Sequence, residues 1–132
     1  MNKLEHIGIA VKNLEESNAL FTRLLGTAPY KTETVEREGV RTSFFNVGNV
    51  KIELLEATRP DSAIAMFIEK RGEGIHHLAF DVDNVQQKIQ DFSADGFRVL
   101  SENPLPGADN KVIAFLHPKS TNGVLTEICQ DK

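Results

Sequence analysis

The chain has 132 residues, of which 40% are hydrophobic and 26% are charged, and its formal net charge is −4. This length suits a single domain over residues 1–132, and the negative charge gives no electrostatic footprint for nucleic acid or an anionic membrane. No apolar run approaches the roughly 18 residues of a membrane span, and the N-terminus lacks the pattern of a signal peptide. One cysteine, Cys129, cannot form an internal disulfide. We therefore expect a cytoplasmic globular protein with no nucleic-acid or membrane partner, in which Cys129 is a packed strand thiol.

The first predicted module covers residues 4–57 and reads as a strand, a helix and three strands. The segment LEHIGIAVKN from Leu4 is strand-like, and Asn13 is a good N-cap for the helix that follows. Two further strand patterns are RTSFFNV from Arg41 and GNVKIELLE from Gly48. Along the module, the hydrophobic pattern therefore changes from that of a strand to that of a helix and back to that of strands.

A linking helix is predicted within residues 58–73, over the segment DSAIAMFIEKRG. Asp61 or Ser62 is its expected N-cap. The second module, residues 74–130, follows this helix and has the same order of patterns as the first.

The two modules are an internal repeat. Shifted by 71 residues, His6 falls on His77, and shifted by 74 residues, Glu53 falls on Glu127. The three-residue drift fits a longer loop in the second copy, ENPLPGADN. The repeat predicts an α+β protein with two βαβββ modules, whose open sheet faces form a curved, partly open mixed-sheet cup.

Strand parity separates the two adjacent histidines, His76 and His77. Successive strand side chains point to opposite faces of a sheet. Leu78 and Phe80 share a face with His76, which makes that face the one covered by a helix. His77 therefore faces the open side, as His6 does in the first module, and His76 is predicted to be a core or rim residue.

The same parity places Glu53 and Glu127 on the open side with His6 and His77. Imidazole and carboxylate groups suit divalent ions such as Mn, Fe, Co, Ni or Zn. Any one of these residues alone is more simply read as a polar residue on a solvated strand. All four at repeat-equivalent positions favour a metal site.

The strings HIGIAV, VKIELLE, GIHHLAFDVDN and FLHPKSTNGVLTEI resemble the vicinal oxygen chelate (glyoxalase/bleomycin resistance/dioxygenase) superfamily. Within it, the chain from about Leu4 to Glu127 is most similar to the methylmalonyl-CoA epimerases. The resemblance implies a paired βαβββ fold, one divalent metal ion per chain and a homodimer. It also implies an acyl-CoA substrate and interconversion of (2R)- and (2S)-methylmalonyl-CoA through an enolate.

The resemblance implies that the metal ligands are His6, Glu53, His77 and Glu127. We expect Glu127 to be both a ligand and an acid/base group, because a carboxylate beside the metal can remove the substrate's α-proton. Some relatives carry a second glutamate where this chain has Thr42, so the group that acts on the other face of the intermediate stays open.

Lys119 and Ser120, in the segment HPKSTNG, are the candidate contacts for the acyl or pantetheine part of the substrate. An ordinary exposed turn is the equally weighted alternative. Three other activities fit parts of the pattern: a glyoxalase-type lactoylglutathione lyase, a metal-free small-ligand-binding protein and a ring-cleaving dioxygenase. Metal analysis and activity assays distinguish these from the epimerase.

Overall fold

A computed structural model describes all 132 residues, which form eight β-strands and three α-helices. The chain divides into two compact units. The first unit is His6–His76, and the second unit combines Met1–Glu5 with His77–Lys132. No helix has both the length and the apolar character needed to cross a membrane.

The first unit contains a four-stranded mixed sheet and two helices. Its elements are β1 (Lys3–Ala10, from His6 onward), α1 (Leu14–Leu25), β2 (Lys31–Val35), β3 (Val40–Val47), β4 (Val50–Ala57) and α2 (Ala63–Arg71). The strand order is β2-β3-β4-β1; β1 runs parallel to β4, and the other pairs are antiparallel. The predicted linking helix is thus nine residues long.

The second unit repeats this arrangement. Its elements are β5 (Gly74–Asp81, from His77 onward), α3 (Val85–Ala94), β6 (Leu105–Gly107), β7 (Lys111–Leu116) and β8 (Thr126–Asp131). The strand order is β5-β8-β7-β6, with β5 parallel to β8. The predicted α+β class and the twofold βαβββ order are confirmed, and the extra residues of the second copy lie around the short strand β6.

The predicted helix caps are confirmed in all three helices. The side chains of Asn13, Ser62 and Asn84 each accept a hydrogen bond from a backbone N–H three residues later, at 2.9, 3.1 and 3.0 Å. Each bond satisfies one of the amides that the first turn of a helix leaves unpaired. At the other end of α1, Gly26 has a φ of 73°, the left-handed conformation of a C-terminal glycine.

Each sheet packs its helix on one face, and the opposite face carries the predicted site residues. In the first unit, α1 covers a cluster formed by Val11, Leu14, Phe45 and Leu54. In the second unit, α3 covers a cluster formed by Val82, Val85, Ile89, Ala114 and Ile128. On the other face of the first sheet, α2 contributes Ile64 to a separate cluster with Ala10, Val40 and Leu55.

Candidate functional site

His6 and Glu53 form a buried pair in the first unit. His6 lies on β1, and Glu53 lies on the adjacent strand β4, where it is paired with Gly8. The Nδ1 atom of His6 is 3.1 Å from Oε2 of Glu53, and the two side chains are only 5% and 7% exposed. Because Gly8 has no side chain, no bulky group on β1 stands opposite the carboxylate.

His77 and Glu127 form the corresponding pair in the second unit. Glu127 lies on β8 and is paired with Ala79 of β5. The Nε2 atom of His77 is 3.6 Å from Oε1 of Glu127, and both side chains are 7% exposed. The ring of Phe115 meets the imidazole of His77 edge to face, with the ring centroids 6.1 Å apart.

The two pairs have the same strand register. In each, a histidine stands two residues before a small residue, Gly8 or Ala79, and the glutamate is paired with that small residue. A buried carboxylate costs free energy unless a positive charge or several donors compensate it. Imidazole nitrogen with carboxylate oxygen is a donor set of first-row divalent metals, so the residues present fit the implied ion.

The glutamate strands also anchor the two helices. Glu56, three residues after Glu53, accepts a hydrogen bond from the backbone N–H of Leu14 at 2.9 Å. Gln130, three residues after Glu127, accepts one from the N–H of Val85 at 2.6 Å. Both side chains accept a hydrogen bond from the first amide of a helix. These bonds hold α1 against β4, the strand of Glu53, and α3 against β8, the strand of Glu127.

His76 belongs to the first unit and contacts helix α2. Its ring meets the ring of Phe67 edge to face, with the centroids 5.0 Å apart. Burial lowers the pKa of His76 to about 4, because the interior disfavours the charged imidazolium. The prediction that His76 is a core or rim residue is confirmed.

Cys129 is a fully buried strand thiol that packs with Ala79 and Ile113, as the sequence predicted. Burial, and after it the nearby Glu127 carboxylate, raises the pKa of Cys129 far above its usual range. The thiol is therefore held neutral.

A buried ion pair in the second unit escaped the sequence analysis. Glu5 and Lys111 are 3% and 7% exposed, and Lys111 Nζ lies 3.8 Å from a Glu5 oxygen and 2.6 Å from Oδ1 of Asp131. A carboxylate oxygen of Glu5 is within 4.8 Å of the Cys129 sulfur. The only sequence signal is a charged residue directly before His6, which is common on exposed strand ends.

Thr42 lies at the start of β3 and is 1% exposed. Its hydroxyl oxygen has no hydrogen-bond partner. The hydroxyl is not basic at neutral pH, so Thr42 cannot replace a glutamate as a general base.

Lys119 and Ser120 lie in a short 3-10 turn, Pro118–Ser120, between β7 and β8. The Nδ1 atom of His117 accepts a hydrogen bond from the Lys119 N–H at 3.0 Å. The Ser120 hydroxyl accepts one from the Arg98 N–H at 2.8 Å. The Lys119 side chain is exposed, whereas Ser120 fixes the turn to the preceding loop.

The sequence matches a profile described as the Glyoxalase/Bleomycin resistance protein/Dioxygenase superfamily over residues 5–115. The protein YqjC of Bacillus subtilis (strain 168), described as uncharacterized, is 41% identical over 100% of this chain and 94% of its own length. The mitochondrial methylmalonyl-CoA epimerase of Homo sapiens is 38% identical over 98% of this chain and 74% of its own length.

A solved structure of a methylmalonyl-CoA epimerase in complex with methylmalonyl-CoA and an ammonium ion has a similar fold. Its TM-score is 0.95 at 36% sequence identity, covering 99% of this chain and 95% of that one. The likeness therefore extends over every strand that carries one of the buried His–Glu pairs.

Proposed function

The chain belongs to the glyoxalase/bleomycin resistance protein/dioxygenase superfamily, and from that membership we propose that it interconverts (2R)- and (2S)-methylmalonyl-CoA. The similarity to the human epimerase and to the solved epimerase with methylmalonyl-CoA bound supports this activity. The observation that carries the proposal is the pair of buried His–Glu contacts at equivalent places in the repeat.

In this proposal, His6, Glu53, His77 and Glu127 hold one divalent metal ion, which is Co, Mn, Ni, Zn or Fe. The whole chain acts as one domain: module 4–57 supplies the first pair, module 74–130 supplies the second, and residues 58–73 join them. When bound, such an ion supplies Lewis-acid stabilisation of the negative charge that develops on the substrate's oxygen atoms. The burial of both carboxylates supports this assignment, since each needs a compensating charge.

Glu127 acts as the base for one face of the substrate. Its carboxylate takes the proton from the carbon between the thioester carbonyl and the free carboxylate. The C–H electron pair forms a C=C bond to the thioester carbon, and the C=O π pair moves to the thioester oxygen. The product of this step is a planar enolate. Return of a proton to the opposite face of that carbon gives the other epimer.

The donor on the opposite face is a group other than Thr42. A hydroxyl is neither acidic nor basic enough to exchange the proton at neutral pH, so the candidates for that face are Glu53, a bound water molecule or another group near Thr42. Glu53 lies closer to its histidine than Glu127 does, at 3.1 Å against 3.6 Å, so its carboxylate is the more restrained of the two carboxylates.

The turn with Lys119 and Ser120 contacts the acyl or pantetheine part of the substrate. The Lys119 side chain is exposed and can donate hydrogen bonds to that part, and the bond from the Arg98 backbone N–H to the Ser120 hydroxyl holds the turn in place. The active species is a homodimer in the cytoplasm; the single, buried thiol is compatible with a reducing compartment.

A direct assay tests the activity. The metal-loaded protein is incubated in D₂O with (2R)-methylmalonyl-CoA, and both deuterium at the α-carbon and the (2S) epimer are followed. We expect both to appear. Turnover of the hemithioacetal of glutathione and methylglyoxal without α-proton exchange would identify a lactoylglutathione lyase instead, and a purified protein without metal or turnover would identify a binding protein.

A further inference from the structure

The hydroxyl of Thr42 is a polar group that the fold buries but does not use. Thr42 is 1% exposed, and its Oγ1 has no hydrogen-bond partner in the protein. Folded proteins pair nearly all buried polar groups, so an unpaired one requires an explanation. A ligand that is bound during function is one such explanation.

The strand register places this hydroxyl on the face that carries the first His–Glu pair. On β4, Leu55 is the partner of Thr42 and Glu53 is the partner of Phe44. Thr42 and Phe44 are two residues apart, so their side chains share a face, and Glu53 shares it with them. Thr42 is thus a diagonal neighbour of Glu53 on the functional face.

None of the immediate neighbours of Thr42 forms a hydrogen bond with its hydroxyl. Val40 and Leu55 belong to an apolar cluster, and Phe44 is fully buried. On the other side, the cross-strand partner of Thr42 is Glu33, whose carboxylate is 3.1 Å from Nζ of Lys31. The Thr42 hydroxyl is thus left available to a bound molecule.

Resting on the proposed function, we propose that the Thr42 hydroxyl donates a hydrogen bond to the free carboxylate of the bound methylmalonyl group. A carboxylate has two oxygens with about four acceptor sites, more than any single contact satisfies. A hydroxyl donor to a charged oxygen in an apolar setting gives a strong hydrogen bond. Thr42 then distinguishes dicarboxylic acyl groups from monocarboxylic ones.

Two substitutions at this position isolate the hydroxyl. Thr42→Val keeps the shape and removes the donor, and Thr42→Ser keeps the donor. The matched control is Ser43→Ala, because Ser43 is fully buried on the opposite face, with its hydroxyl 3.3 Å from that of Thr32. The dissociation constants of methylmalonyl-CoA and propionyl-CoA are measured by calorimetry on each metal-loaded protein, and urea unfolding is followed without ligand.

We expect Thr42→Val to weaken methylmalonyl-CoA binding roughly ten- to a hundredfold, while propionyl-CoA binding changes by less than about twofold. Thr42→Ser retains the preference. The urea midpoint of the unliganded Thr42→Val protein is at or above that of the wild type, because an unpaired hydroxyl has been removed. Ser43→Ala lowers the midpoint and leaves both dissociation constants unchanged.

Two results overturn the assignment of Thr42: wild-type affinity for methylmalonyl-CoA in Thr42→Val, or an equal loss for both esters. If the wild type exchanges the α-proton but Thr42→Val binds normally, the assignment fails and the epimerase proposal stands. If the wild type neither binds nor exchanges methylmalonyl-CoA, both fail.

Discussion

The His6–Glu53 and His77–Glu127 pairs follow the same strand register but differ in the distance between the histidine nitrogen and the glutamate oxygen. The first pair is separated by 3.1 Å and the second by 3.6 Å. The acid of the first pair is opposite a glycine, and the acid of the second is opposite an alanine. The repeat has thus kept the strand register and the burial of each pair, whereas the distance between the imidazole nitrogen and the carboxylate oxygen has changed.

The surroundings of the two pairs differ as well. The face of Glu53 carries the unpaired hydroxyl of Thr42, whereas the strand of Glu127 carries the neutral thiol of Cys129. Lys111, the buried cation of the second unit, is 2.6 Å from Asp131. In the proposed mechanism, Glu53 is mainly a metal ligand, and Glu127 is both a ligand and a base.

The largest expected effect is the loss of either histidine of the pairs. His6→Ala or His77→Ala removes a metal ligand, so bound metal and α-proton exchange should both fall to background. Metal content by mass spectrometry and exchange in D₂O measure this. His76→Ala is the control: it should lower the melting temperature and retain the metal, and equal metal loss in His76→Ala would show that the strand parity is misassigned.

Substitution of the two acids should separate their roles. Glu127→Gln removes the proposed base, and we expect kcat to fall roughly 10²–10⁴-fold at saturating metal. Glu53→Gln keeps an oxygen ligand and should mainly weaken metal binding, by about 10–100-fold. Steady-state kinetics over a metal titration measure both effects, and equal losses of kcat in the two variants would contradict these separate roles.

Glu56 and Gln130, which hold α1 and α3 to their strands, should contribute different amounts to the free energy of unfolding, because Glu56 is a charged acceptor and Gln130 is a neutral one. Glu56→Ala should lower the free energy of unfolding by about 2 kcal/mol and Gln130→Ala by about 1 kcal/mol. Urea unfolding measures the difference. A larger loss for Gln130→Ala would mean that its shorter bond, at 2.6 Å, outweighs the charge of Glu56.

The smallest difference between the two units is expected at the equivalent helix caps, Asn13 and Asn84. Asn13→Ala and Asn84→Ala should each lower the free energy of unfolding by about 1 kcal/mol. The same urea experiment applies, with glycine at each position as the comparison, since glycine is tolerated at an N-cap. Clearly unequal losses would show that one cap has a further role.

The features that local rules determine could be predicted from the sequence. Asn13 and Asn84 were recognised as caps because an N-cap acts on an amide three residues away. The faces of His76 and Cys129 followed from the alternation of strand side chains. The repeat offset identified equivalent residues without any knowledge of the sheet order.

The features that depend on distant partners could not be predicted. Glu56 reaches the amide of Leu14, and Lys111 reaches Glu5, across long stretches of sequence. A charged residue on a strand is usually solvated, so nothing local marks these as buried contacts. The missing partner of the Thr42 hydroxyl is likewise visible only once its neighbours are packed.

Metal titration tests whether His6, Glu53, His77 and Glu127 bind a single ion. Chelator-treated protein is titrated with Co²⁺, and the absorbance of the bound ion is followed in the wild type, His6→Ala and His77→Ala. We expect one equivalent per chain in the wild type and none in either variant. Two equivalents in the wild type, or one equivalent surviving in a variant, would mean that each pair binds metal alone and that the four residues do not share one ion.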